Sequence, residues 1–439
     1  MSKVLVLGAG MVAKPLVNYL LDHGFEIILG DLNLAQASRL VDNHPRGKAI
    51  YADASSPETW RPWVATCDLV VSLLPPPFHP EVAKACLEEK KHFASASYLS
   101  ETMSAMDEEA RASNLIFLNE MGLDPGLDHA TAMELIEQAR EQGYEIESFC
   151  SHCGGIPSRK AANNPLRYKF SWSPRGVLGA LTRASKFKRN GQVTEIAGNK
   201  NLAQAQIVTI PGAGVFESTP NADSLFYGAR YGLEKANTVY RGTLRFPGWA
   251  QFWMFMLEMG FLDQERKAMF QKTQAMEAVL QLAGHDSQMD VAAHLQKAFP
   301  SHASVFLDAL EQMGLLDPTF TISGSYSCFE ILLDAALRTM QYDKDEADWV
   351  VLHHEFLVSK NGKREKWTST LTQEGHPEKE TTAMALTVGI PLGISVRLIL
   401  ENQIPDKGVM IPILKTIYQP LLKELGTLGL AHTVKKQSV

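Results

Sequence analysis

The chain up to about Leu118 alternates between short apolar runs and longer amphipathic stretches. Such runs have the length and β-branched content of buried parallel strands, and amphipathic stretches between them are typical of crossover helices. We predict strands at Val4–Leu7, Glu26–Leu29, Lys48–Tyr51, Leu69–Leu73, His92–Ala94 and Leu115–Leu118. We predict helices at Pro15–Leu21, Leu34–Val41, Pro57–Val64 and Pro80–Glu88. This alternation predicts an α/β fold with a doubly wound parallel sheet.

The pattern changes after a predicted helix from Pro125 to about Gln142. Longer strands with alternating polarity follow, which predict an antiparallel or mixed sheet with one covered face. They are Glu145–Cys153, Thr238–Phe246 and Trp349–Val358. Helical patterns dominate from Ala250 to about Tyr342, and helix-and-loop patterns return from Ala383 to Leu430.

Composition and charge narrow the class of protein. The chain has 439 residues, with 42 Lys and Arg against 49 Asp and Glu, so its net charge is −7. That charge argues against a nucleic-acid or anionic-membrane binder. Five cysteines in so long a chain indicate reduced thiols, so we expect a cytoplasmic protein. The apolar run Gly389–Leu400 contains Pro391 and Arg397 and is too short to span a bilayer.

We predict no metal site. His353 and His354 lie on a predicted strand, where adjacent side chains point to opposite faces. Cys150 and Cys153 also lie on a strand and face opposite ways. Neither pair can therefore share an ion in its predicted conformation.

A glycine fingerprint follows the first strand directly. Gly8, Ala9 and Gly10 continue into Met11, Val12 and Ala13, which is the GxGxxG/A pattern of dinucleotide sites. Gly8 permits the tight turn, Gly10 lets a pyrophosphate approach, and Ala13 allows close packing of helix on strand. The phosphates would lie at the N-terminus of the next helix. The alternative is a glycine-rich turn that binds nothing.

The end of the second strand favours NAD over NADP. Asp31 lies where a carboxylate bonds the adenosine ribose 2′-hydroxyl, and that carboxylate would repel a 2′-phosphate. The alternative is a helix N-cap, for which Asn33 competes. The segment Ser72–Pro77 ends the fourth strand and borders the predicted cofactor crevice.

Longer motifs resemble those of the saccharopine dehydrogenases, collinearly from Val4 to about Leu430. They are Asn119–His129, Cys153–Pro157, Asn164–Gly176, Arg241–Arg245 and Ala383–Gly389. The resemblance is closest to the glutamate-forming type, which interconverts saccharopine with glutamate and 2-aminoadipate 6-semialdehyde. It implies an oxidoreductase of lysine metabolism that passes a hydride between a nicotinamide, NAD or NADP, and the carbon bearing the amine.

The resemblance also implies a domain plan and a homodimer. We predict a Rossmann domain at 1–125 completed by 386–439, and a mixed-sheet substrate domain at 126–385. A helical insertion at 250–342 lies within the substrate domain.

By the same resemblance we assign site residues. Asp124 is the candidate catalytic residue. The candidate substrate residues are Ser97, Tyr98, Asp124, Arg175, Arg241, Gly242 and Thr243. The resemblance also adds cofactor residues to the fingerprint and Asp31. They are Asp53, Leu73, Leu74, Pro75, Leu123, Pro125, Gly126 and Trp172.

Structural alternatives remain open for these residues. Each arginine could be a surface charge or an ion-pair partner, although Arg241 and Arg245 share a strand face with Thr243. Asp124 precedes a proline and could cap the following helix. Trp172 could be core, and a structural polar role is expected for His129.

One position departs from the family pattern. The family has Pro-Asn-Arg-Asp-Ser before its Arg-Gly-Thr motif, but here Ala222 replaces that arginine. Either another cation replaces it, with Arg230 as the nearest candidate, or the substrate differs. The departure favours a relative such as carboxynorspermidine synthase. A non-catalytic dinucleotide sensor is the third hypothesis, against which the intact Arg241, Arg175 and Asp124 argue.

Overall fold

The computed structural model describes residues 2–439 and contains two compact units. Unit 1 comprises Met1–Phe149, Arg230–Lys235 and Leu352–Val439, and unit 2 comprises Cys150–Ala229 and Ala236–Val351. The predicted domain division has different bounds and stays a prediction.

Unit 1 contains a seven-stranded parallel sheet in the order β17-β6-β5-β4-β1-β2-β3. Its strands are β1 (Lys3–Leu7), β2 (Glu26–Asp31), β3 (Gly47–Tyr51), β4 (Leu69–Ser72), β5 (His92–Ser95), β6 (Ile116–Leu118) and β17 (Gly408–Met410). The predicted doubly wound fold is confirmed, and its six predicted strands are present. The short β17 was not predicted.

The helices of unit 1 lie between and after these strands in the chain. They are α1 (Ala13–Asp22), α2 (Leu34–Val41), α3 (Arg61–Val64), α4 (His79–Glu88), α5 (Glu101–Ser104), α6 (Asp107–Ala112), α7 (Leu127–Glu141), α15 (Ala383–Leu400) and α16 (Lys415–Thr427). The single helix predicted at Pro57–Val64 is wrong. A 3₁₀ turn at Pro57–Thr59 precedes α3, because Pro62 has no N–H to continue a helix.

Helix α15 is longer than the apolar run that the sequence indicated. It has 18 residues with a mean hydropathy of 1.9, enough by length and composition to cross a membrane, but 72% of it is buried. It packs on α1 through glycines: a Cβ on Gly389 would lie 2.9 Å from the backbone of Val12 and of Leu16. These contacts identify α15 as a core helix of unit 1.

Unit 2 is built on antiparallel pairs β10–β11, β11–β12, β12–β8 and β8–β9. The strands are β8 (Ser185–Arg189), β9 (Gln192–Ile196), β10 (Gln206–Ile210), β11 (Gly214–Pro220) and β12 (Thr238–Arg245). Two long strands, β7 (Glu145–Pro157) and β15 (Asp348–Lys360), begin in one unit and end in the other. In unit 1, β16 (Lys363–Glu374) pairs with β18 (Thr433–Ser438).

The helical region of unit 2 also contains strands. Its helices are α8 (Pro174–Ala180), α9 (Ser224–Arg230, whose last residue lies in unit 1), α10 (Trp249–Glu258), α11 (Ala275–Ala283), α12 (Val291–Ala298), α13 (Ala303–Gln312) and α14 (Cys328–Thr339). The antiparallel pair β13 (Lys267–Gln274) and β14 (Thr321–Ser327) interrupts the stretch predicted as helical. One apolar core, centred on Phe252, Trp253 and Phe255, joins these helices to the sheet.

Candidate active site

The loop after β1 leaves room for a dinucleotide. Gly8 has φ +107°, and a Cβ there would lie 3.0 Å from the carbonyl oxygen of Leu73, so only glycine fits. A Cβ on Gly10 would meet nothing within 4 Å, so that side of the loop is open. Val12 at the N-cap of α1 makes no side-chain capping bond, and the first turn carries no acid. The positive N-terminus of this helix fits the pyrophosphate of a dinucleotide.

Asp31 at the end of β2 is held by backbone groups. Its Oδ2 accepts a hydrogen bond from the N–H of Ala9 at 2.6 Å, and its Oδ1 accepts one from the N–H of Asn33 at 2.7 Å. Asn33 is the N-cap of α2, so the capping alternative for Asp31 is wrong. The next residue, Leu32, is 64% exposed. The carboxylate is therefore fixed beside the glycine loop.

The other predicted cofactor residues of this region also follow strands of the parallel sheet. Strand order reverses between β1 and β4, which makes their carboxyl ends the switch point where such sheets bind ligands. Asp53 follows β3, and hydrogen bonds from the hydroxyl and the N–H of Ser55 lower its pKa. Met11 lies in the loop between β1 and α1, and Leu73, Leu74 and Pro75 directly follow β4.

A buried histidine links the ends of β4 and β5. His79 Nδ1 lies 2.8 Å from Ser72 Oγ, and its Nε2 lies 2.7 Å from Ser97 Oγ. Burial lowers the pKa of His79 to about 4, so the imidazole is neutral near pH 7. One ring nitrogen then donates and the other accepts, which orients the hydroxyl of Ser97.

Tyr98 and Asp124 form a pair at the entrance to α7. The Tyr98 hydroxyl donates to Asp124 Oδ1 at 2.9 Å. The helix begins at Leu127 with Gly126 as its N-cap, so the alternative that Asp124 caps the helix is wrong. A Cβ on Gly126 would lie 2.1 Å from the Gly122 carbonyl oxygen, so the turn requires glycine. The predicted cofactor residues of this turn are Leu123, Pro125 and Gly126.

Glu120 supports the Tyr98 segment from both sides. Its N–H donates to the Ser97 carbonyl at 3.1 Å, and its Oε1 accepts from the N–H of Leu99 at 2.8 Å. Its Oε2 lies 2.7 Å from His129 Nε2. His129 Nδ1 in turn bonds the hydroxyl of Tyr231, and both Glu120 and His129 are fully buried. This network fixes the backbone that carries Tyr98.

In unit 2, β12 carries the predicted substrate residues. Arg241 is 1% exposed, and its guanidinium carbon lies 4.3 Å from the ring centroid of Tyr227. A Cβ on Gly242 would lie 2.1 Å from Ser218 Oγ, which explains glycine there. Thr243 is half-buried and lines a cavity with Arg245.

Arg175 and Trp172 flank the start of α8. Ser173 caps this helix by accepting from the N–H of Gly176. The exposed Arg175 lies 5.4 Å from the ring centroid of Phe329. Trp172 is partly buried against the apolar core of unit 2.

Several residues of this arrangement were not predicted from the sequence. His79, Glu120 and Tyr231 were not assigned roles, and Arg183, which lines the same cavity as Thr243, was not considered. A signal existed for His79, because a histidine after the proline run lies at the cofactor edge of β4. None existed for Tyr231, which is far in sequence from His129.

Comparison with known proteins agrees with this geometry. Residues 4–118 match the sequence profile of the saccharopine dehydrogenase NADP binding domain, and residues 122–430 match that of the saccharopine dehydrogenase C-terminal domain. The Pyricularia oryzae protein named saccharopine dehydrogenase [NADP(+), L-glutamate-forming] is 35% identical, over 97% of this chain and 96% of its own.

Two further relatives extend the comparison. The solved apo structure of saccharopine dehydrogenase (L-Glu forming) from Saccharomyces cerevisiae superimposes with a TM-score of 0.88, at 31% identity, over 99% of this chain and all of that one. The alpha-aminoadipic semialdehyde synthase of Bos taurus is 33% identical over 99% of this chain, which spans 48% of that longer protein.

Proposed function

Since the chain belongs to the saccharopine dehydrogenase family, we propose that it interconverts saccharopine with glutamate and 2-aminoadipate 6-semialdehyde. The observation that carries the proposal is the full-length similarity to enzymes named for the glutamate-forming reaction. In the oxidative direction saccharopine loses a hydride and a proton, and water hydrolyses the resulting imine. A bound nicotinamide dinucleotide supplies the hydride acceptor.

The residues of unit 1 support this chemistry. The Tyr98 hydroxyl and the Asp124 carboxylate form a hydrogen-bonded pair that can bind the substrate amine and exchange a proton with it. Ser97, oriented by His79, offers a further hydroxyl. In unit 2, Arg241 and Arg175 offer cations for the three carboxylates of saccharopine.

We propose NAD as the cofactor, although the similar enzymes are named for NADP(+). The Asp31 carboxylate is fixed next to the glycine loop, where it suits a ribose hydroxyl and repels a 2′-phosphate. The first lysine or arginine after Asp31 is Arg39, in the last turn of α2. The proposal of NAD therefore rests on Asp31 of this chain and not on the cofactor in the names of its relatives.

One assay tests the reaction. Purified protein is mixed with saccharopine and either NAD or NADP, and reduced nicotinamide and glutamate are measured together. We expect equimolar formation of both, with the larger kcat/KM for NAD, and a large loss of kcat in Asp124→Asn with unchanged cofactor affinity. Absence of glutamate with both dinucleotides would refute the proposed reaction.

The Ala222 departure favours a second candidate, the reductive coupling of another amine and aldehyde. In that case saccharopine would be a poor substrate, and Ala222→Arg alone would improve its turnover. The homodimer and the cytoplasmic location stay proposals that rest on the family resemblance and the composition.

A further inference from the structure

A second cavity of unit 2 lies apart from the cavity that Thr243 lines. It is open and has a volume of about 190 Å³, which has room for on the order of ten water molecules and therefore for a small ligand. Its lining consists of two arginines and four apolar residues, namely Arg159, Arg167, Ala213, Val215, Phe216 and Phe246. The two cavities share no lining residue and lie at opposite ends of β11. The residues assigned above to the cofactor and the substrate do not line this second cavity.

Arg159 is held in place by the turn between β10 and β11. Its Nη2 donates a hydrogen bond to the carbonyl of Ala213 at 2.5 Å. The next residue, Gly214, has φ +123°, and a Cβ there would lie 2.7 Å from Arg159 Nη2. Glycine at this position therefore leaves the space that the guanidinium occupies. The side chain is exposed, so the remaining N–H groups of the guanidinium are available to a ligand.

Arg167 is fixed by its backbone and by an aromatic ring. Its φ of +50° lies in the left-handed region, which is uncommon for a residue other than glycine. Its N–H donates to the Asn164 carbonyl at 2.9 Å, and the Asn164 side chain bonds both backbone groups of Tyr168. The guanidinium carbon lies 4.1 Å from the ring centroid of Phe246. Such stacking leaves the N–H groups at the edge of the guanidinium available to an acceptor.

The positive charge of the two arginines is not neutralised within the described part of the chain. No acidic residue lines the cavity, and neither side chain forms an ion pair within residues 2–439. Lys169, two residues after Arg167, differs because its ammonium group is paired with Glu346. The cavity therefore combines two fixed positive charges with an apolar wall, in a protein whose net charge is −7.

We propose that this cavity binds a phosphate group, either as free phosphate or as the phosphate monoester of a small apolar molecule. A dianionic phosphate matches the charge of two guanidiniums, whereas one carboxylate carries a single charge. The terminal oxygens of the phosphate accept hydrogen bonds from both Arg159 and Arg167. Val215, which is 49% exposed, and Phe216 form the wall that contacts the apolar part of an ester.

Calorimetric titration of phenyl phosphate tests the site. The protein is first saturated with NAD, so that the dinucleotide occupies the glycine loop. Arg159→Ala and Arg167→Ala should each weaken phenyl phosphate binding about 10- to 100-fold, because a charge-assisted hydrogen-bonding partner is lost. Arg338→Ala is the matched control and should leave the affinity unchanged. Arg338 is also exposed and lies 4.3 Å from the ring centroid of Phe320, but it does not line the cavity.

Denaturant unfolding of each variant shows whether a loss of binding reflects a loss of folding. Arg167→Lys serves if an alanine variant is destabilised, because it keeps the charge and loses the guanidinium fork. Its affinity for phenyl phosphate should lie between those of wild type and Arg167→Ala. Absent binding in wild type, or equal binding in wild type and the arginine variants, would refute the site.

Two further titrations identify the source of the phosphate group. Tighter binding of phenyl phosphate than of inorganic phosphate supports an ester, and equal binding of the two supports free phosphate. Tighter binding of glutarate, a dicarboxylate, than of either phosphate would overturn the assignment to phosphate. These results do not depend on the turnover of saccharopine, so failure of the proposed reaction and failure of this site are separate outcomes.

Discussion

A buried network in unit 1 and a buried cation in unit 2 differ in how their hydrogen-bonding groups are satisfied. In unit 1 the Glu120 carboxylate bonds both His129 and the N–H of Leu99, and His129 also bonds Tyr231. In unit 2 the Arg245 guanidinium lies between aromatic rings, and its cross-strand neighbour Glu217 is bonded to a helix end. In the unit 1 network these polar groups are hydrogen-bonded to each other, whereas the Arg245 guanidinium can still bind an anion from a ligand.

The difference separates structural from ligand-binding roles. A buried polar group is normally satisfied within the protein, so a closed network indicates that its purpose is to fix the fold. A buried cation that lacks an acid indicates that its partner arrives with a ligand. Removing a member of the Glu120–His129 network should therefore reduce stability. Removing the Arg245 cation should reduce substrate affinity.

The largest effect is expected for Glu120→Ala. Loss of the carboxylate leaves buried donors at His129 and Leu99 without their acceptor, which should lower the free energy of unfolding by about 3–5 kcal/mol. Denaturant unfolding followed by circular dichroism measures it. Glu120→Gln, which keeps the shape, should lose less, and Glu89→Ala at an exposed site should change the midpoint little. A normal midpoint in Glu120→Ala would contradict the structural role.

Arg245→Met should have the opposite profile. Methionine fills similar volume between Tyr168 and Trp249 without a charge, so the stability should be nearly unchanged. The kcat/KM for saccharopine should fall by about 2–3 kcal/mol in transition-state free energy, roughly 30- to 150-fold. Cofactor affinity, measured by fluorescence titration, should stay the same. If the variant were strongly destabilised but had normal kinetics, the role of Arg245 would be to stabilise the fold and not to bind substrate.

The parallel sheet was predictable because each of its strands is a local apolar run. Five of its six predicted strands are correct within one residue at both ends, and the sixth, Glu26–Leu29, ends two residues before β2 does. The exceptions have local causes that compete with the pattern: Pro62 interrupts a helix, and Gly408–Met410 is too short to show a period.

The candidate site was predictable only where a motif is contiguous. The glycine loop and Asp31 follow from spacing along one βαβ unit. The bonds between Glu120 and Leu99, and between His129 and Tyr231, join residues distant in sequence, and no period in the chain encodes them. The helix cap is Gly126 and not Asp124, the alternative that the sequence left open, and Asp124 accepts a hydrogen bond from Tyr98.

Asp31 is a charged residue of unit 1 whose carboxylate is available to a ligand. Its removal, like that of Arg245, should therefore change ligand binding and not stability. In Asp31→Ser the preference for NAD over NADP, expressed as a ratio of kcat/KM values, should fall about 10- to 150-fold, which corresponds to roughly 1.5–3 kcal/mol. Stability should change little. A wild-type preference for NADP would refute the proposed role. Asn33→Ala, which removes only the helix cap, is the control and should leave the ratio unchanged.

The smallest effect concerns His79, whose two ring nitrogens are both hydrogen-bonded within the protein. This residue should make the free energy of unfolding depend on pH. Its pKa is lowered by burial to about 4, from an ordinary value of 6.5, so the unfolded chain binds the proton more readily. The stabilising contribution is complete above pH 6.5 and is lost as the pH falls towards 4. Between pH 7 and 5.5 the loss should be about 1 kcal/mol.

Denaturant unfolding at both pH values measures it, and His79→Gln should remove that portion of the pH dependence. An identical pH dependence in wild type and His79→Gln would mean that folding does not lower the pKa of His79.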